Sequence, residues 1–219
     1  MRCGKYFFFL GMAVFAMTGC VTAEEAGPHS LARQQSATIE SLENEILRLN
    51  QELDGTVSLR KDLQAAMPGL EAAFSEPIAR GDIQVSMDPR GLAIIVRDHA
   101  LFDPDETQLT PAGEEILGKI ALVLSRDLPD HRVLLEGHTD DQPIQDADGI
   151  TNWEYSIGRA SAVLHYFVEN QNISPQRLGV AGYSEYRPVD SNATEEGRDR
   201  NRRVEIVILP QKVSDAPAR

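Results

Sequence analysis

Apolar positions between residues 30 and 67 recur at alternating spacings of three and four. Ile39, Leu42, Ile46, Leu49 and Leu53 form an a/d heptad seam, with Glu43, Glu45, Arg48 and Glu52 around it. This predicts a long helix. The seam fades at Thr56 and Arg60 and returns at Leu63 and Met67, and Pro68-Gly69 is expected to end the helix. From about residue 80 the periodicity changes. Ile83 to Met87 alternates apolar and polar, Asp88-Pro89-Arg90-Gly91 is turn chemistry, and Leu92 to Val96 is apolar, so the stretch predicts a hairpin. Thr110-Pro111 opens a helix whose inner face is read as Ile116, Ile120, Val123, Leu124 and Leu128, with Pro129 as its stop. Arg132 to Gly137 is a short apolar run that hands over to the polar residues His138-Thr139-Asp140-Asp141, as a buried strand does at its carboxyl end.

Thr151-Asn152-Trp153-Glu154 has the spacing of a capping box. The helix it opens is expected to bury Trp153, Ile157, Ala160, Leu164 and Phe167, leaving Arg159 off the stripe and free to turn toward the strand ends. Leu178 to Tyr183 reads as another strand, Ser184 to Asn201 as a long polar loop, and Arg203 to Ile208 as a last strand. The order β-β-α-β-α-β-β predicts an α/β sandwich with helices on one face of the sheet.

The first twenty residues are an address. Arg2 and Lys5 precede an apolar run, Tyr6 to Met17, which is too short to cross a bilayer comfortably. Met17-Thr18-Gly19-Cys20 resembles a bacterial lipobox, with Met17 where Leu is usual. That resemblance implies cleavage of a signal peptide over residues 1–19 and acylation of Cys20, which would anchor the chain in a bilayer. Val21, rather than Asp, after the Cys favours an outer-membrane lipoprotein facing the periplasm over an inner-membrane one. Residues 20–29 then read as a linker, 30–67 as a helical stalk, 80–210 as the globular domain and 211–219 as a disordered tail. A stalk of that length would reach roughly 55 Å. Its seam at residues 39–53 suits a parallel homodimer or a lone amphipathic helix, and both stay open.

Composition narrows the chemistry. The 219-residue chain carries a net charge of −13, which argues against nucleic acid as a partner. Its two cysteines, Cys3 and Cys20, lie in the leader region, so the folded part has no disulfide and no Cys-based metal site. There is no Gly-x-Ser-x-Gly and no thiol nucleophile, so an enzyme is not expected, and no cofactor is implied. His138 with Asp140 and Asp141 is a poor metal set, and His138 is expected to order the loop instead. The most informative pair is Asp140, at the end of a strand, and Arg159, on the following helix. An acid and a base at one spot would suit a zwitterion such as the free end of an amino acid; they could equally form a structural ion pair.

Several pieces resemble the OmpA-like (OmpA/MotB C-terminal) peptidoglycan-binding domain family over roughly residues 80–210. They are Leu101-Phe102-Asp103, Glu136-Gly137-His138-Thr139-Asp140, Asn152 and Ser156 ahead of Arg159-Ala160, Arg177-Leu178 with Gly182-Tyr183, and Asn192, Gly197-Arg198 and Asn201 to Ile206. The stretches Gly137 to Ile144 and Asn152 to Glu154 are most similar to the family's flagellar stator members, the MotB proteins. The resemblance implies a mixed sheet and non-covalent binding of the peptidoglycan stem peptide, chiefly its diaminopimelate. By the same resemblance Asp140 takes the ligand ammonium and Arg159 its carboxylate. Asn152, Thr139 and Phe102 are candidates for the lining, and of the basic pair Arg202 and Arg203 one lines the pocket and one supports the fold. The sequence departs from the family at Tyr155, where Leu is usual, and at Gly158 before Arg159. The expected function is a lipid-anchored tether between outer membrane and cell wall. The alternatives are a stator component, which would need a true membrane helix, and a scaffold lipoprotein binding envelope proteins through the seam.

Overall fold

The structure is a computed structural model of the full chain, and it describes residues 28–144 and 150–210. The expected signal peptide, Cys20, most of the linker and the tail lie outside the described residues. No helix among the described residues is long and apolar enough to cross a membrane.

The chain divides into two compact units after Leu49. In the first, helix α1 (Pro28–Ala73) displays Ile39, Leu42, Ile46 and Leu49, each 49–57% exposed, so this part of the seam is unburied. The second unit, from Asn50 on, holds the rest of the fold. After α1 come α2 (Ser75–Arg80), β1 (Ile83–Met87) and β2 (Leu92–Arg97). Then follow α3 (Pro111–Arg126), β3 (Val133–His138), α4 (Asn152–His165), β4 (Leu178–Gly182), α5 (Glu195–Asn201) and β5 (Arg203–Ile208). The five strands form one mixed sheet in the order β1-β2-β5-β3-β4. Only β3 and β4 run parallel, with Gly137 beside Gly182; the other pairs are antiparallel. A parallel pair needs a crossover, and α4 supplies it.

One face of the sheet carries the core. Ile94, Leu135, Val204 and Ile206 meet Leu117, Ile120 and Leu124 of α3, Ala160 and Val163 of α4, Leu63 and Leu70 of α1, and Phe74 just after it. This corrects the expected end of the stalk. Helix α1 runs through Pro68 to Ala73 rather than stopping at Met67. A proline inside a helix costs about 3 kcal/mol. Full burial of Leu63, Leu70 and Phe74 returns about 1.5–3 kcal/mol each. Tertiary packing therefore outweighs the local break, and the packed domain begins before residue 80.

The expected stripe on α4 is also out of phase in its first half. Trp153 and Ile157 are 43% and 44% exposed, while Asn152, Tyr155, Ser156, Arg159, Ala160 and Val163 are buried. Two glycines set this phase. A Cβ on Gly137 would lie 1.9 Å from the Ser156 carbonyl oxygen, and one on Gly182 would lie 2.5 Å from Ile157 Cγ1. The small face of α4 is thus pressed onto β3 and β4, and Ser156 Oγ seals the contact by accepting from Ser184 N at 3.1 Å.

Candidate ligand-binding site

Three local devices aim side chains into one cleft of about 1040 Å³. The first is the carboxyl end of β3. Thr139 N donates to Ser184 O at 3.0 Å, which fixes the chain as it leaves the sheet, and Asp140 follows. The second is the start of α4. Thr151 accepts from Trp153 N while Glu154 takes the Thr151 N–H at 3.0 Å, so the capping box forms as expected. It orients the turn that bears Tyr155, Gly158 and Arg159, all lining the cleft. The third is the 3₁₀ turn Asp98–Ala100 after β2, which presents Asp98 and Phe102.

Asp140 and Arg159 are 5% and 4% exposed, and each has a counter-charge other than the other. Asp140 Oδ2 accepts from Arg202 Nη1 at 2.6 Å, and its Oδ1 accepts from Gln142 N at 3.0 Å. Arg159 pairs through Nη1 with Asp98 and donates through Nε to Glu106 O at 3.0 Å. Its Nη2 has no partner among the described residues. The guanidinium lies 4.1 Å from the Tyr155 ring centroid and 5.0 Å from that of Phe102. Two rings and one carboxylate therefore hold it in a fixed plane, which is what bidentate carboxylate recognition needs.

Burial pushes the Asp98 carboxyl up to about 6, an effect that Arg159 only partly offsets. Tyr155 OH donates to Glu106 O at 3.1 Å, and burial pushes the phenol up to about 12, so it stays a neutral donor. The acids Asp98, Asp105, Glu106, Asp140, Glu154 and Asp199 outnumber Arg159 and Arg202 along the cleft. That excess favours a ligand bearing an ammonium group.

Five of the seven residues singled out in the sequence line the cleft: Phe102, Thr139, Asp140, Arg159 and Arg202. Asn152 does not. It is a buried brace whose Oδ1 accepts from Ile144 N at 3.0 Å, while Nδ2 donates to Gln142 O at 3.1 Å and to Glu185 at 2.8 Å. It sets the course of the loop after Asp140. Arg203 lies elsewhere, so of the basic pair Arg202 lines the cleft and Arg203 supports the fold. Strand alternation turns it to the opposite face of the sheet, where it donates to Glu205 at 2.8 Å and to Arg187 O at 3.1 Å.

His138 shares that opposite face, cross-strand from Arg203 and stacked 5.3 Å from Tyr183, so it does not order the ligand loop. Glu136, His138 and Glu205 bring ligand-type atoms within 4.8 Å of one another. Both carboxylates, however, are already held by Arg90, and Glu205 also by Arg203. Guanidinium groups already paired with these carboxylates disfavour a metal ion there.

The sequence missed Asp98 and Glu106, which have no local signature, and the role of Tyr155. Its departure from the family pattern was visible, but its stacking on Arg159 was not.

A family model described as the OmpA family matches residues 101–202, which include every residue of the cleft from Phe102 to Arg202. Residues 101–202 are an OmpA family domain. Motility protein B of Bacillus subtilis is 29% identical over 156 residues, covering 71% of this chain and 59% of that protein. Peptidoglycan-binding protein ArfA of Mycobacterium tuberculosis is 39% identical over 107 residues, covering 49% of this chain and 31% of that one. The chain thus spans less than two thirds of these relatives. A MotB-like protein from Desulfovibrio vulgaris has the same fold, with a TM-score of 0.62 at 28% identity, covering 71% of this chain and 95% of that structure. The OmpA family domain occurs here behind a long helix, and its homologues include a peptidoglycan-binding protein and motility proteins.

Proposed function

We propose that the OmpA family domain binds the peptidoglycan stem peptide without covalent chemistry, gripping the free end of its diaminopimelate. The observation that carries this is the juxtaposition of Asp140 and Arg159, from two different elements, in one acid-rich cleft. The free end of diaminopimelate is a zwitterion. Its ammonium would be taken by Asp140, an acceptor-only group, and its carboxylate by the open Nη2 edge of Arg159. Arg202 holds the place of the ammonium at Asp140, while Asp98 stays on Arg159 Nη1 beside the incoming carboxylate. Ligand entry at Asp140 is then an exchange of ion partners rather than the burial of a bare charge, which keeps the desolvation cost low.

The whole chain, on this reading, is an envelope lipoprotein held in the outer membrane by acylated Cys20, with α1 as a spacer and the domain on the cell wall. The apolar seam over residues 39–53 would pair two copies in parallel. Its exposed Ile39, Leu42, Ile46 and Leu49 support that part of the reading.

Calorimetric titration with free meso-diaminopimelate and with cadaverine tests the clamp. Cadaverine has the ammonium groups but no carboxylate. Binding of diaminopimelate at least tenfold tighter than cadaverine, about 1.4 kcal/mol, is expected. Equal binding of the two, or of neither, would remove Arg159 from the proposed role.

A further inference from the structure

Outside the cleft, on the other flank of the α4 N-terminus, two aromatic rings stand stacked in solvent. Trp153 and Tyr186 lie 5.5 Å apart at 26°, and they are 43% and 67% exposed. Large rings ordinarily supply most of a protein's buried apolar area, so a stacked pair left in water marks a contact surface. Both rings stand on hydrogen-bonded backbone. Trp153 sits in the first turn of α4, fixed by the capping box, and its N–H donates to Thr151 Oγ1 at 3.3 Å. Tyr186 is set by a turn in which its N–H donates to Tyr183 O at 3.1 Å. The two segments are tied together by Asn152 Nδ2 donating to Glu185 at 2.8 Å. Asn152 is also the brace of the loop that follows Asp140, so the platform and the cleft share one support.

We infer that the Trp153–Tyr186 pair is a subsite for the glycan strand of peptidoglycan, one or two N-acetylated pyranose rings lying flat on the aromatic faces. This rests on the stem-peptide reading and extends it to the other component of the same polymer. Aromatic faces carry partial negative charge and attract the weakly positive C–H groups that β-linked pyranoses present on their flat sides. Glu185, half-buried at the edge of the pair, can accept from sugar hydroxyls or amide N–H groups. Charge points the same way. A chain of net charge −13 repels anionic polymers and anionic lipid surfaces, whereas a glycan strand whose lactyl carboxyls are spent in peptide linkages is neutral. A stem peptide in the cleft and its own sugar on the platform would be held by one bracket, with Asn152 as the fixed link.

Trp153 is the only tryptophan in the chain, so its emission reports on the platform directly. The test is a fluorescence titration of the full chain with the tetramer of N-acetylglucosamine, a glycan without peptide. A saturable change in Trp153 emission is expected for the wild type and for Asp140→Ala. Tyr186→Ala, which removes only an exposed ring, should bind about five- to tenfold more weakly, the scale of one lost stack. No saturable change with the wild type, or equal binding by Tyr186→Ala, would overturn the proposal and leave the rings as a protein-docking surface. The same titration with free meso-diaminopimelate separates the two readings. Tetramer binding without diaminopimelate binding would overturn the clamp and keep the platform, and the reverse result would do the opposite.

Discussion

Arg159 shows how a single residue is prepared for the role proposed for it. Its charge is neutralised by Asp98, its plane is fixed by Tyr155 and Phe102, and one edge is left open. Asp98 is the unusual member, because burial raises its carboxyl to about 6 instead of the ordinary value of 3.8. The sign of the resulting pH dependence follows. A ligand carboxylate arriving at Arg159 adds negative charge beside Asp98, so the bound state favours protonated Asp98 more than the free state does. Above pH 6 binding must take up a proton; below it the proton is already there. Affinity for meso-diaminopimelate should therefore tighten by roughly three- to tenfold between pH 7.5 and pH 5.5, less than the full linkage of one proton. Asp98→Asn should flatten that slope, and calorimetry at the two pH values checks both. A flat wild-type profile would mean that Asp98 does not face the bound carboxylate.

At the scale of elements, the cleft depends on how closely α4 lies on β3 and β4. A methyl at position 137 meets the Ser156 carbonyl 1.9 Å away, so Gly137→Ala has to push the helix off the sheet. The expected cost is about 1–3 kcal/mol in urea unfolding, with weakened ligand binding because Arg159 moves with the helix. The sequence showed the elements but not this contact. Alternation and caps placed β1, β2, α3 and α4 well, since Thr110 and Thr151 signal their helix starts locally. The phase of α4 was misread because Trp153 and Ile157 looked like core on hydrophobicity alone. The glycines that decide the matter lie on other strands, and distant pairings are not written in local periodicity. Helix α5 was read as loop, being a short polar turn whose N-cap, Thr194, accepts from Gly197. In the site, Asp140 and Arg159 were legible as a pair. Their partners Arg202 and Asp98 could be assigned only after the sheet order brought the end of β2 beside the start of β5.

At the scale of the whole molecule, the division between the two compact units falls inside α1. Leu63, Leu70 and Phe74 belong to the domain core, while Ile39 to Leu49 stand outside it. A fragment of residues 80–219 should be less stable than one of residues 50–219 by roughly 5 kcal/mol, the burial of three large side chains, out of a total that for ordinary domains is about 5–15 kcal/mol. Thermal melts of the two fragments check this, and equal melting points would show that α1 packs on the domain without supporting it. The most direct test of the central claim uses the full chain mixed with purified cell-wall sacculi and spun down, beside Asp140→Ala and Arg159→Ala, with circular dichroism to verify folding. The account predicts that the wild type pellets with the wall and that both folded variants stay in solution. Variants that pellet as well as the wild type would contradict it.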